Sequence, residues 1–118
     1  MYSRKLLALL VSGFAIPFCA CHRLDCSSDG IKGAREHTLR QTLFVFRAEI
    51  QQYALEKQSW PHSLDDLVTA GYMKQIPNDP ITGSPNWVIE EAKDGSGVTS
   101  IHSASSSQAC DGTAYSSW

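Results

Sequence analysis

The densest run of chemically able side chains lies at residues 19–26, where Cys19, Cys21, His22 and Cys26 follow one another closely. Three thiols and an imidazole match a tetrahedral zinc set in ligand type. The same residues also read as a lipid-attachment cysteine (Cys21, with Cys19 beside it) and a juncture cysteine, and the export-like segment just before them favours this second reading. Other reactive types do not converge. His22, His37, His62 and His102 are spread along the chain, whereas nucleophilic catalysis needs a nucleophile, a base and a carboxylate in one pocket. His102 and Ser103 are neighbours in a strand-like run, so their side chains point to opposite faces. Asp65-Asp66 resembles a carboxylate pair but suits the first turn of a short helix, where the helix dipole favours acids. Gly95-x-Gly97 falls in a turn with no helix after it, so it is not a phosphate cradle. These residues predict no enzyme.

What must be positioned is therefore a scaffold. At 118 residues, with 42% apolar and 19% charged residues, the chain fits one small domain behind a targeting segment. A net charge of -2 does not point to nucleic acid as partner. The charge is unevenly divided: residues 1–58 carry eight of the ten Lys and Arg against five acids, and residues 59–118 carry two bases against seven acids. A basic helix and an acidic head can favour packing between subunits, or form ordinary solvated surface.

Residues 1–21 follow the plan of a signal or anchor segment. Arg4 and Lys5 precede an almost wholly apolar run from Leu6 to Phe18, shorter than the ~20 residues of a spanning helix and apt for export. Phe18-Cys19-Ala20-Cys21 resembles a loose bacterial lipobox, with small Ala20 before Cys21. Export permits disulfides, and Cys26 and Cys110 form the candidate pair if Cys19 and Cys21 belong to the anchor.

Residues 22–30 are a polar juncture. From about residue 31 to 57 the spacing predicts a helix of about 40 Å. Leu39, Leu43, Phe46, Ile50 and Tyr53 recur at helical steps on one face, with Phe44, Ala48, Ala54 and Leu55 on its flanks. Phe44 lies off the main stripe and is the residue expected to face another subunit. Glu36 and Arg40 are expected to pair at i,i+4. The basic first turns, with Arg35, Glu36, His37 and Arg40, are expected to project or to pack on a neighbour. Trp60-Pro61 ends the rod. Ser63-x-x-Asp66 starts a second, short helix that stops at Gly71. Residues 76–85 are a Pro-rich loop. Residues 86–91 and 98–103 alternate about a turn at 94–97 and predict an antiparallel hairpin, with Trp87 and Ile89 on one face. The tail, residues 104–118, is Ser-rich yet holds Tyr115 and Trp118, so it is expected to fold back onto the sheet.

In this order the signals resemble a known family. The helix from Leu39 to Tyr53 is followed by Trp60-Pro61-His62-Ser63-Leu64-Asp65-Asp66-Leu67, then Gly71-Tyr72, Ile76-Pro77-Asn78-Asp79-Pro80-Ile81-Thr82-Gly83 and Trp87. The chain closes with Ile101-His102-Ser103-Ala104-Ser105 and Asp111-Gly112-Thr113-x-Tyr115-Ser116-x-Trp118. From about Ala34 to Trp118 this is similar to the major pseudopilins of bacterial type II secretion, the general secretion pathway protein G group within the type IV pilin-like class. The resemblance implies an α+β, pilin-like fold over residues 31–118: a long helix packed on a small antiparallel sheet, a short second helix and a docked C-terminal loop. It implies assembly with copies of itself or other pseudopilins, contact with inner-membrane secretion components, and anchoring by the N-terminal segment with the head in the periplasm. It also implies a calcium loop in the tail, where Asp111 is the one carboxylate side chain. At the front, Gly13-Phe14 is followed by Ala15-Ile16-Pro17 where the family carries a glutamate. A lipid-anchored or secreted envelope protein, with a similar head that binds a partner without polymerising, therefore stays open.

Overall fold

The structure, a computed structural model, describes residues 30–118. Cys19, Cys21, Cys26 and the expected export segment lie outside the described residues. Helix α1 spans Gly30–Lys57 and helix α2 spans Leu64–Thr69. Strands β1 (Val88–Glu91) and β2 (Val98–His102) form a two-stranded antiparallel sheet, and a 3-10 turn, Tyr115–Ser117, follows near the C-terminus. The fold is α+β, with one long helix and a small sheet.

No proline interrupts α1, and its two interior threonines return their hydroxyls to the preceding turn, Thr38 Oγ1 to Ala34 O at 3.0 Å and Thr42 Oγ1 to Thr38 O at 2.9 Å. Leu39, Leu43, Phe46 and Ile50 are buried on one side, and burial of each contributes about 1.5–3 kcal/mol before entropy is counted. They meet Leu67 of α2, Val98 and Ile101 of β2, and Trp87, whose ring stands edge-on to Phe46 at 5.4 Å. Tyr53 is half-buried and lies 5.5 Å from Tyr72. The helix stops at Lys57; Gln58 turns left-handed at φ 53° before Trp60-Pro61.

At the start of α2 the Asp66 carboxylate accepts from the amides of His62 (2.8 Å) and Ser63 (3.3 Å), satisfying donors the helix cannot. Its end is a Schellman turn. The Gly71 amide donates to Val68 O and the Tyr72 amide to Leu67 O, with Gly71 at φ 85°. Gly97 is required for a different reason. A Cβ there would stand 2.6 Å from the Pro61 carbonyl oxygen and 2.8 Å from Trp60 Cβ, because the chain leaving α1 lies directly against the entry to β2.

Two expectations are corrected. First, β1 is exposed along its whole length, and Ile89, although it pairs with Ile101, is not covered. The reason is that α1 packs on β2 and leaves β1 at the rim. Trp87 is buried just before the strand begins. In β2 the register slips between Glu90 and Glu91, so Thr99 is an extra residue and Val98 and Ile101 both face inward despite their odd spacing. The tail meets the sheet as expected, its 3-10 turn lying against β2, and it also fastens to α1 through Glu36, Arg40 and Arg47. Second, one side chain of the early turns of α1 does not project: the tail covers Glu36, while Arg35, His37 and Arg40 stay exposed.

Candidate functional site

Two features stand out on the scaffold: a polar clasp that holds the tail to α1, and an apolar face of α1 that nothing in the described residues covers.

The clasp begins at Glu36, a buried carboxylate one turn before Leu39 on the core stripe. Its Oε1 accepts the Cys110 amide and the Tyr115 hydroxyl, each at 2.8 Å. Burial pushes the Tyr115 phenol up to about 12, and the adjoining Glu36 carboxylate adds to the shift. Glu36 therefore does not pair with Arg40 on the surface as its spacing predicts; the core-facing turn of the helix carries it under the tail. Arg40 instead approaches Asp111 at 3.7 Å and lies over the Trp118 ring at 4.1 Å. One turn on, Arg47 donates to Ser100 Oγ (3.1 Å), Ile101 O (2.9 Å) and Trp118 O. Tyr115 and Trp118 stack edge to face at 5.2 Å, and the indole donates to Thr113 Oγ1. Cys110 is disulfide-bonded; Cys26, its candidate partner, lies outside the described residues.

A second buried carboxylate, Asp79, organises the Pro-rich loop. Its Oδ1 accepts from the Ile81 amide at 2.7 Å and its Oδ2 from the Ser103 hydroxyl. His102 directs Nδ1 at the Ser103 carbonyl oxygen rather than at Oγ, so this serine and carboxylate are a fastening between loop and strand end. On the exposed side of α1, Glu56 accepts from Tyr72 and Gln52. The Tyr72 bond is the main cause holding the Glu56 carboxyl below its usual range, and the same bond drives the Tyr72 phenol up to about 12.

The cation implied by the resemblance can be tested against Asp111. Its Oδ1 already accepts the Thr113 amide (2.9 Å) and hydroxyl (2.6 Å), and its Oδ2 faces the Arg40 guanidinium. Calcium takes six to eight oxygens, with several carboxylates. One carboxylate beside a fixed positive charge does not fit. No group of three or more His, Cys, Asp and Glu able to hold a metal occurs among the described residues.

The expected packing residues separate cleanly. Leu39, Leu43, Phe46 and Ile50 are buried, Tyr53 is half-buried, and Phe44 is 72% exposed, on the far side with Leu55 at 75%. A groove of about 560 Å³ opens beside Phe44 and Ala48, bordered by Arg40, Arg47 and Trp118. Among the described residues, no helix is long and apolar enough to cross a membrane. Sequence reasoning missed Glu36, Arg47 and Asp79 as fastening groups. A signal existed for Glu36, which continues the core spacing three residues before Leu39, and for Tyr115, whose buried hydroxyl needs a partner.

Comparison with known proteins finds no matching family model, no matching curated protein and no matching solved structure.

Proposed function

We propose that this chain is a non-catalytic structural subunit of the pilin-like class, a pseudopilin of type II protein secretion that assembles through its N-terminal helix. One observation carries the reading. A 28-residue helix buries one face in its own small head while its opposite face presents Phe44 and Leu55 uncovered. A helix that served the monomer alone would be polar on that side. The described polar groups support the same view, because Glu36, Arg47, Asp79 and Ser103 fasten segments of the chain to one another. The ordered motif set from Trp60-Pro61 to Trp118 adds the family and, with it, the envelope location, the membrane anchor, and the copies of itself, other pseudopilins and inner-membrane secretion components as partners.

A second reading rests on the front of the sequence. The missing glutamate after Gly13-Phe14 and the Ala20-Cys21 step favour a lipid-anchored protein that binds a partner without polymerising. Mass spectrometry of the mature N-terminus separates the two. Cleavage after Gly13 with a methylated Phe14 is the outcome expected of the pilus subunit, and a diacylated Cys21 is the outcome that replaces it with the anchored protein.

A further inference from the structure

We infer that the Phe44–Leu55 face of α1 is the docking surface for strand β1 of a second copy of this chain; the inference rests on the assembly reading above. Phe44, Ala48, Gln51 and Leu55 are spaced by four, three and four residues, so they form one straight stripe. The stripe is turned away from the buried Leu39–Ile50 side. Two grooves run along it, one of about 560 Å³ beside Phe44 and one of about 480 Å³ beside Leu55, and Gln51 lines both. Scattered exposed apolar residues are ordinary, but Phe44 and Leu55, the two most exposed large apolar ones among the described residues, stand on one helix face beside adjoining grooves, which marks a contact.

Charge identifies the occupant. The Phe44 groove is bordered by Arg40 and Arg47. Arg40 is 57% exposed, and its 3.7 Å approach to an equally open Asp111 is the weak kind of surface pair that leaves the guanidinium able to meet another acid. The complementary element is β1. It lies on the rim of the sheet with Val88 39% and Ile89 40% exposed, followed by exposed Glu90 and Glu91, which make no ion pair among the described residues. Side chains alternate along the strand, so Val88 and Glu90 share one side of β1: Val88 matches Phe44 and Ala48, and Glu90 matches the open Arg40, Arg47 being held by Ser100, Ile101 and Trp118. The same polarity runs through the whole chain, basic before residue 58 and acidic after it. Because the two surfaces differ, the contact is head-to-tail. Each copy offers one of each, so the contact repeats from copy to copy, as a filament where the rotation does not close a ring. Glu90 and Glu91 also discourage strand-to-strand pairing at the open edge, which leaves side-chain seating on the helix as the mode of contact.

The test mixes two forms of the full chain: an isotopically light copy with p-benzoylphenylalanine in place of Phe44, and a uniformly 15N-labelled unmodified copy. After irradiation and trypsin digestion, the expected product joins the light α1 peptide to the heavy Gln75–Lys93 peptide that contains β1. A light–heavy cross-link to any other peptide overturns the β1 assignment and leaves self-assembly standing. Oligomers in native mass spectrometry without a cross-link from position 44 also overturn it. A chain that is monomeric by both measurements overturns the docking surface and the assembly reading together. As an independent arm, Glu90→Lys with Glu91→Lys, both on the exposed rim, should weaken self-association about tenfold or more at low salt. Unchanged association of a folded double variant contradicts the proposal.

Discussion

Replacing Glu36 tests how the tail is held. Both donors of the clasp, the Cys110 amide and the Tyr115 hydroxyl, converge on the same oxygen, Oε1, at 2.8 Å. Glu36→Ala removes that acceptor and strands two donors under the tail. A hydrogen bond to a charged group contributes about 1.5–3 kcal/mol, so two give a gross loss of about 3–6 kcal/mol. Water entering the emptied corner recovers part of this, and the net loss is about 3 kcal/mol. For a domain of this size that corresponds to a melting point lower by roughly 12–24 °C. Glu36→Gln is the informative control, because its single amide oxygen can accept both donors in the same place. It loses only the charge, about 1 kcal/mol. Urea unfolding followed by circular dichroism gives the two stabilities, and amide exchange at Cys110 shows whether the clasp itself has opened. A loss below about 1 kcal/mol for Glu36→Ala, or equal losses for Ala and Gln, would refute the idea that this carboxylate fastens the tail.

Other expectations concern the core, one turn, pH and metal. Leu43→Asp puts a charge on the buried stripe and should cost at least about 4 kcal/mol, leaving an unfolded or aggregated head in size exclusion and circular dichroism; a folded, soluble variant contradicts the helix register. Gly97→Ala should cost about 2–4 kcal/mol in urea titrations, since the new methyl meets the Pro61 carbonyl at 2.6 Å and φ is 145°. Tyr115 has a folded pKa of about 12, above its unfolded value near 10, so its contribution is whole below pH 10 and is lost as pH rises towards 12. Tyr115→Phe should flatten that limb of a stability–pH profile, and an unchanged limb assigns it to another group. Chelation with EDTA should move the melting point by less than about 2 °C, under ~0.5 kcal/mol; a large drop would establish a cation site that Asp111 and its neighbours do not provide.

Much of the fold is written locally. Leu39, Leu43, Phe46 and Ile50 declare the buried side of α1 by their spacing, and Gly71 declares the end of α2 because its left-handed turn is costly for other residues. What local pattern does not encode is closure over long separations. Glu36 and Arg40 read as a solvent-facing pair until a tail more than 70 residues later covers one and draws the other towards Asp111. Thr99 likewise hides its bulge, because only the pairing partner shows that Val98 and Ile101 share a side. The exposure of Phe44 was legible, since it departs from the stripe. The exposure of Ile89 was not, because alternation gives the face of a strand but not whether anything lies over it.

The proposed role is that of a structural part of a secretion assembly. Deleting the chain and measuring enzymes released to the medium, with re-expression as control, tests this most directly. Loss of release, restored by the intact chain and not by a folded Phe44→Asp variant, is the predicted result; undiminished release in the deletion contradicts it.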